Sequence, residues 1–199
     1  MAPRHAVLEE LGDALAAVHG AGRLTRIGID GVDGAGKTVL AEEVAQLLTT
    51  RGRPCIRISV DYFERPPDER YARGELSPEG YYLDAFDVGR FRAHVLSVDG
   101  PSDLVIVADG VFLQRPELED LWDATVWVEA DLEVTSRRGV ERDLRWAESL
   151  EAIRERYRVR YLPAQRRYIE NRRPHERATF VFRNTDLTEP ELVRQPRPR

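Results

Sequence analysis

Apolar residues follow two patterns along the chain, and each pattern predicts one kind of secondary structure. Short, almost uninterrupted apolar runs predict buried strands of a sheet that is covered on both faces. Longer stretches with an apolar residue every three or four positions predict amphipathic helices. The predicted strands span residues 24–30, 55–60, 104–108, 125–128 and 180–182. The predicted helices span residues 5–19, 38–50, 88–98, 132–145 and 149–170.

The alternation of strands and helices predicts an α/β fold with a mostly parallel, five-stranded sheet and helices on both faces. A length of 199 residues favours one domain over residues 1–199. Residues 1–22 contain the N-terminal helix, and the polar stretch 61–80 predicts a loop that ends at a helix start, Ser77-Pro78. The Pro- and Arg-rich residues 190–199 predict a frayed tail.

The motif Gly31-x4-Gly36-Lys37-Thr38 lies between the first predicted strand and the helix that follows it. Spacing and position are those of a P-loop, so we predict a P-loop NTPase three-layer sandwich. Glycines let successive backbone N–H groups turn toward phosphate oxygens, and the start of the helix adds its positive dipole end. The predicted cofactor-binding residues are Gly31, Val32, Asp33, Gly34, Ala35, Gly36, Lys37 and Thr38.

The side chains of this motif predict ATP with Mg²⁺ as the cofactors. Lys37 is the one lysine among 30 basic residues, the others being arginine. In a P-loop its amine reaches the terminal phosphates, which makes it a candidate catalytic residue as well. The Thr38 hydroxyl is a candidate ligand of Mg²⁺.

Two aspartates follow predicted strands, at the edge where an open α/β sheet binds its ligands. Asp61 is the candidate catalytic base, because a carboxylate there can orient an acceptor hydroxyl and take its proton. Asp109 has the position of a Walker-B carboxylate that holds Mg²⁺, and the alternative role is to bind a substrate hydroxyl. The simpler interpretation is that both aspartates cap turns.

Arginines on the predicted helix 132–145 indicate a lid at about residues 137–148. Arg138 and Arg142 are i, i+4 neighbours and share a face of the helix. Such a pair can clamp the transferred phosphoryl group in the transition state, so both are candidate catalytic residues. The alternative is a solvated helix face on which acidic neighbours pair with the arginines.

Composition and charge exclude several classes of function. The net charge of −5 argues against a nucleic-acid binder. The sequence contains no run of about 18 apolar residues, so it predicts no membrane-spanning segment. The four histidines show no metal-ligand spacing that would predict zinc. The single cysteine fits a reducing cytoplasm, so we expect a cytoplasmic protein. The expected partner is a small-molecule substrate, and the oligomeric state, a homo-oligomer included, is left open.

Taken in order, these motifs resemble the uridine kinase family of P-loop nucleoside kinases, within the uridine kinase and phosphoribulokinase group. The resemblance covers roughly residues 24–187. Its carriers are Gly31–Thr38, Asp61-Tyr62-Phe63, Tyr82-Leu83-Asp84-Ala85-Phe86-Asp87, Asp109-Gly110-Val111-Phe112, Arg137-Arg138-x3-Arg142-Asp143 and Asn184-Thr185-Asp186. The first motif is specific to P-loop proteins at large, whereas the ordered set indicates this family.

The resemblance implies a role for each of the remaining motifs. Asp61 acts as the base toward the ribose 5′-hydroxyl of a uridine- or cytidine-like nucleoside, and Arg138 and Arg142 belong to the lid. The loop of Asn184 and Asp186 lies near the adenine of ATP. The candidate substrate-binding residues are Asp61, Tyr62, Tyr82, Asp84 and Asp109.

The chain departs from the family pattern near the nucleobase. Only residues 99–103 separate a predicted helix from the third strand, where uridine kinases usually carry a β-hairpin that helps to read the pyrimidine. The usual His-Pro before the Asp-Ala-Phe-Asp segment is missing, and Val60 stands where a second acid often precedes the catalytic aspartate. These differences concern the recognition of the acceptor's nucleobase more than the phosphoryl transfer.

The sequence therefore leaves three candidate functions. The favoured one is a kinase that transfers the γ-phosphate of ATP to a hydroxyl group. The second is a nucleoside monophosphate kinase, because the run 33–37 also resembles thymidylate kinase P-loops; there the acceptor is a phosphate and no base is needed. The third is an ATP-binding regulatory switch. A guanine-specific switch is excluded, because its Asn-Lys-x-Asp motif would need a second lysine.

Overall fold

The computed structural model describes residues 3–18 and 23–194, and a six-stranded sheet forms its centre. The strands are β1 (Thr25–Gly31), β2 (Cys55–Ser59), β3 (Val105–Gly110), β4 (Ala124–Glu129), β5 (Phe180–Arg183) and β6 (Glu191–Arg194). Their order across the sheet is β2-β3-β1-β4-β5-β6. Every pair is parallel except β5 and β6, which are antiparallel.

Helices surround this sheet, and the predicted α/β fold is confirmed. The α-helices are α1 (Arg4–Ala16), α2 (Lys37–Thr50), α3 (Pro67–Arg70), α4 (Pro78–Asp84), α5 (Val88–Ser97), α6 (Leu132–Asp143), α7 (Leu150–Arg156), α8 (Leu162–Arg172) and α9 (Pro174–Arg177). Strand β3 is buried along its whole length, as its continuous apolar run predicts. Among the described residues, no helix has both the length and the hydrophobicity required to cross a bilayer.

The stretch 61–80, predicted as a loop, contains more regular structure than expected. A 3₁₀ turn occupies Val60–Phe63, and α3 follows it. The predicted helix start is confirmed, since the Ser77 hydroxyl accepts a hydrogen bond from the Gly80 N–H and Pro78 is the first residue of α4.

The predicted helix 149–170 is present but is divided by a π-helical turn at Tyr157–Tyr161, between α7 and α8. Arg160 lies in this turn with a nearly buried side chain. Its guanidinium donates hydrogen bonds to carbonyl oxygens of the segment before α4, among them that of Glu75 at 2.9 Å. The arginine therefore ties the turn to the segment that follows α3.

The prediction of a frayed tail over 190–199 is wrong for its first half. Residues 191–194 form β6, which pairs with β5, whereas 195–199 lie outside the described residues. The Arg183 guanidinium lies 3.2 Å from the Glu191 carboxylate, and Leu192 and Val193 pack against the core. The cross-strand ion pair and the partial burial of Leu192 and Val193 thus add a sixth, antiparallel strand to the predicted five.

The register of the parallel strands brings their carboxyl ends to one edge of the sheet. Ser59 of β2 and Ile29 of β1 both lie beside Asp109 of β3. The segments that follow these strands, namely the P-loop after β1 and the turn with Asp61 after β2, therefore meet at this edge.

Candidate active site

The loop between β1 and α2 has the backbone that phosphate binding requires. Gly34 has φ of 79° and Gly36 has φ of 96°, in the left-handed region that favours glycine. A Cβ on Gly34 would collide with the Thr135 carbonyl oxygen, and one on Gly36 would lie 2.6 Å from the Asn184 amide nitrogen. Helix α2 begins without a side-chain cap from the described residues, so its first N–H groups are free to face an anion.

Lys37 lies inside this loop with its side chain mostly buried. Its Nζ donates a hydrogen bond to the Val32 carbonyl oxygen at 2.9 Å. Its positive charge lowers the pKa of both Asp30 and Asp61, against the stronger effect of burial. The amine is therefore positioned among the carboxylates at the edge of the sheet.

Thr38 and Asp109, the two predicted Mg²⁺ ligands, are in contact. The Thr38 hydroxyl donates to Asp109 Oδ2 at 2.9 Å. The Asp109 carboxylate is 1% exposed, and its other oxygen accepts a hydrogen bond from Arg57 at 3.2 Å. Arg57 was not predicted, although a charged residue within the otherwise apolar strand β2 was a signal for it. Hydroxyl and carboxylate oxygens are ligands that Mg²⁺ prefers, so this pair fits the ion.

Asp61 lies in the 3₁₀ turn that follows β2, with its side chain open to solvent. Although Asp61 reaches solvent, the protein around the cleft removes part of the water from its carboxyl group, and this desolvation raises the pKa. The nearby charges of Asp33 and Asp109 raise this pKa further. Lys37 acts in the opposite direction. The predicted catalytic base is thus close enough to the P-loop and to the Mg²⁺ candidate Asp109 for their charges to affect its pKa.

Helix α8 holds the P-loop through two side chains, Gln165 and Tyr168, that the sequence analysis did not identify. Gln165 Nε2 donates to Asp33 Oδ2 at 2.5 Å, and Gln165 Oε1 accepts from the Asp33 backbone N–H at 3.3 Å. The Tyr168 hydroxyl donates to Asp30 Oδ2 at 2.5 Å. Asp30 is fully buried and in turn accepts from the Gly31 N–H at 2.8 Å. We call Gln165 and Tyr168 the α8 clamp.

Asn184 connects the loop after β5 to the P-loop, and its predicted place near the adenine of ATP stays a prediction. Its amide nitrogen donates to the Ala35 carbonyl oxygen at 2.7 Å, and its side chain is buried. Arg4 of α1 donates to the Asn184 side-chain oxygen at 3.0 Å. The neighbouring Asp186 is exposed, and its carboxylate accepts hydrogen bonds from Thr188, which lower its pKa.

The two predicted lid arginines lie on α6 but have protein partners. Arg138 donates to the carbonyl oxygens of Asn184 at 3.0 Å and Thr185 at 2.7 Å. Arg142 forms an ion pair with Asp143 at 2.6 Å, which raises the pKa of the guanidinium. In this structure Arg138 therefore braces the loop after β5, Arg142 pairs with the next residue of its own helix, and the role of clamping a phosphoryl group stays a prediction.

The predicted substrate-binding residues are divided between two places. Tyr81, which was not predicted, faces the P-loop, where its hydroxyl donates to Asp33 Oδ2 at 2.7 Å, and the substrate-binding role of Tyr82 stays a prediction. The Tyr82 ring packs edge-on against Phe112, with ring centres 5.0 Å apart, and lies beside the Tyr168 ring. Successive helical residues point about 100° apart, so only one of the two tyrosines can face the cleft.

The other two predicted substrate contacts are accessible to different degrees. Tyr62, beside Asp61, is 78% exposed and is free to meet a ligand. The Asp84 carboxylate forms an ion pair with Arg73. Whether either residue binds the acceptor stays a prediction.

Two curated proteins are similar to this chain in sequence. A uridine kinase from Halobacterium salinarum is 28% identical over 174 residues, which covers 75% of this chain and 76% of that protein. A uridine kinase from Leuconostoc citreum is 26% identical over 170 residues, covering 72% and 80%. No protein-family model matches the chain.

The fold is shared with solved structures of proteins that are described as possible or candidate kinases. A protein from Bacillus stearothermophilus described as a possible uridine kinase has a TM-score of 0.70 at 23% identity, covering 89% of this chain and 97% of that one. A candidate fructose transport system kinase from Silicibacter has a TM-score of 0.70 at 20% identity, covering 83% and 95%. These likenesses confirm the P-loop kinase fold, and with the curated relatives they confirm the resemblance to uridine kinases.

Proposed function

We propose, on the premise that this chain is a uridine kinase-like P-loop kinase, that it transfers the γ-phosphoryl group of ATP to a hydroxyl group of a small molecule. The acceptor that we propose is a nucleoside, phosphorylated at its 5′-hydroxyl. The observation that carries the proposal is the position of Asp61, an exposed carboxylate in the turn after β2, at the edge of the sheet where Ile29 of β1 and Ser59 of β2 both lie beside Asp109. The two curated relatives, which are named as uridine kinases, support the choice of acceptor.

The residues at the sheet edge fit ATP and Mg²⁺. The open N–H groups at the start of α2 and the amine of Lys37 would hold the phosphates. The Thr38 hydroxyl and the Asp109 carboxylate would hold the ion. When bound, ATP supplies the phosphoryl group, and Mg²⁺ neutralises charge on the phosphate oxygens.

Asp61 performs the acid–base part of the reaction. Its carboxylate accepts a hydrogen bond from the acceptor hydroxyl and orients that oxygen. It takes the proton as the bond from this oxygen to the γ-phosphorus forms and the bond from the γ-phosphorus to ADP breaks, so that ADP leaves. The raised pKa of the carboxyl group suits this role, because a base with a pKa closer to neutrality accepts the proton more readily. Tyr81 and the α8 clamp hold Asp33 beside it and keep the P-loop in place.

Substitution Asp61→Asn tests the proposal, because it retains the size of the side chain and removes the basic oxygen. We expect phosphoryl transfer to fall by about 10²–10⁴-fold while ATP binding persists. The matched control is Glu64→Gln, which removes a carboxylate from the same segment and leaves Asp61 in place. Calorimetry measures ATP binding, and product mass measures transfer. Transfer at the wild-type rate in Asp61→Asn would remove the residue from the mechanism.

The identity of the acceptor requires a panel assayed with ATP and Mg²⁺. The panel contains uridine, cytidine, their 5′-monophosphates and a set of free sugars. We expect product from the nucleosides and none from the monophosphates, because only a hydroxyl acceptor needs Asp61. Product from a monophosphate alone would support the nucleoside monophosphate kinase instead, and ATP binding without any acceptor-dependent product would support a regulatory switch.

A further inference from the structure

A cavity of about 250 Å³ lies between α4 and α8, and we call it the α4–α8 cavity. The wall from α4 includes Tyr82 and Leu83, and the wall from α8 includes Ala164 and Tyr168. It is separate from the P-loop cleft, because Tyr81 and Gln165 face Asp33 while their helix neighbours line the cavity. The proposed phosphoryl transfer uses none of the residues on its rim.

The floor and rim of the cavity differ in chemistry. Aromatic and aliphatic side chains form the floor, and Arg167 and Asn171 stand on the rim, one helical turn apart. Both rim side chains are exposed, and neither makes a hydrogen bond or ion pair with another residue of the described chain. A third rim residue, Arg172, is already paired with Glu119. The Glu79 carboxylate on the opposite wall acts on Arg73. Arg167 is thus the positive charge on the rim that is left to meet an anionic ligand.

The size of the cavity limits the ligand to about one ring. An engineered protein cavity of about 150 Å³ is known to bind benzene, so about 250 Å³ accommodates a single aromatic ring with a short substituent. Such a ring would lie against Tyr82 and Tyr168, whose ring centres are 6.2 Å apart. A carboxylate on the substituent would reach the Arg167 guanidinium and the Asn171 amide.

One wall of the cavity is directly connected to the P-loop. The Tyr168 ring lines the cavity, its hydroxyl donates to Asp30, and Asp30 accepts from the N–H of Gly31, where the P-loop begins. A ligand that restrains Tyr168 therefore acts on the residue that holds the start of the phosphate-binding loop. The cavity thus combines side chains that can bind a ligand with a chain of contacts to the phosphate-binding loop, the two features that allosteric coupling requires.

We propose that the α4–α8 cavity binds a small aromatic carboxylate and that this binding is coupled to nucleotide binding through Tyr168 and Asp30. The inference concerns nucleotide affinity, so it does not depend on which acceptor is phosphorylated.

The binding test compares three probes of the same shape on the full chain: phenylacetate, 2-phenylethanol and phenethylamine. Ligand-observed NMR should detect binding in the millimolar range, with phenylacetate preferred over the neutral alcohol by about two- to fivefold and the amine weakest. Arg167→Gln should remove this preference. Its matched control is Arg166→Gln, whose side chain lines a different groove and should leave the preference unchanged. Leu83→Trp fills the cavity and should weaken all three probes.

The coupling test measures phenylacetate affinity with and without ATP, and ATP affinity with and without phenylacetate. Both ratios should change by the same factor, of about fivefold, because coupling is reciprocal. Tyr168→Phe retains the ring in the cavity and removes the hydroxyl, so phenylacetate should still bind while the coupling disappears. The proposal is overturned by equal binding of the three probes, by binding that Leu83→Trp does not weaken, or by ratios of one in the wild-type protein.

Discussion

Removing the Tyr168 hydroxyl should destabilise the protein by an amount that one hydrogen bond determines. In Tyr168→Phe the ring keeps its place in the core, whereas Asp30 loses the donor that lies 2.5 Å from its carboxylate. In the wild-type protein the Gln114 N–H donates to both the Asp30 carboxylate and the Tyr168 hydroxyl. In the variant it still donates to Asp30, so this buried N–H is not left without a partner. A hydrogen bond to a charged group contributes about 1.5–3 kcal/mol. For a chain of 199 residues this corresponds to a fall in Tm of about 3–12 °C.

Tyr82→Phe is the matched control for this measurement. Its ring packs against Phe112, as that of Tyr168 does, but its hydroxyl makes no hydrogen bond with any other described residue. We expect a change within about 0.5 kcal/mol. Differential scanning calorimetry on both variants measures Tm. An equal loss of stability in the two variants would show that the Tyr168–Asp30 hydrogen bond contributes nothing beyond ring packing.

The loss in Tyr168→Phe should also depend on pH. Burial raises the folded-state pKa of Asp30 above its value in the unfolded chain, and the Tyr168 hydrogen bond opposes this rise. The raised pKa contributes stability below the unfolded-state pKa, and this stability is lost as pH rises through the folded-state pKa, where a buried charge forms. Tyr168 stabilises that charge. The deficit of the variant should therefore be largest above the folded-state pKa of Asp30 and should shrink at acid pH.

Three further outcomes follow from the site. Gly34→Ala should weaken ATP binding and lower Tm by more than Gly52→Ala does. Both glycines have positive φ, but only Gly34 faces a neighbouring backbone. Equal losses of Tm by calorimetry would contradict this. The rate of transfer should fall as pH drops through the raised pKa of Asp61, with an acid limb above the value of about 4 for an ordinary carboxyl group in a pH–rate profile. Arg138→Lys should reduce kcat in steady-state assays.

The sheet and the P-loop were predictable because both depend on local sequence. A strand that is buried on both faces is a continuous apolar run, and the run 104–108 corresponds to β3 within two residues at its end. The P-loop has a fixed spacing of glycines and lysine between a strand and a helix. Strand β6 was missed because its residues 191–194 follow Pro190 and two of the four are charged. Only pairing with β5 makes these residues a strand.

The α8 clamp could not be predicted, since its contacts join residues that are far apart in sequence. Asp30 and Tyr168 are separated by 138 positions, and Asp33 and Gln165 by 132. Nothing near Asp30 marks it as a buried acceptor, because an aspartate at the end of a strand is common in turns. The choice between Tyr81 and Tyr82 likewise depends on how α4 is rotated about its axis, which a pair of adjacent tyrosines leaves open.

The two hypotheses for Arg138 make different predictions for Arg138→Lys. The guanidinium now uses two N–H groups to hold the carbonyl oxygens of Asn184 and Thr185, and Asn184 in turn holds the P-loop. Lysine keeps the charge but loses the planar pair of donors that either role requires. A residue that only braces the loop would raise the Kd for ATP and leave kcat unchanged. A residue that moves onto the phosphoryl group in the transition state would lower kcat and leave the Kd nearly unchanged.

We expect the second result, because Arg138 lies on α6, the helix that packs against Gly34 of the P-loop, and the proposed transfer requires positive charge near the phosphate oxygens on which charge develops. Arg137→Lys is the matched control, since that neighbouring side chain is exposed and lines the groove on the other side of α6. Steady-state kinetics give kcat for both variants, and calorimetry gives the Kd for ATP. A raised Kd with wild-type kcat in Arg138→Lys would assign the arginine to the brace alone.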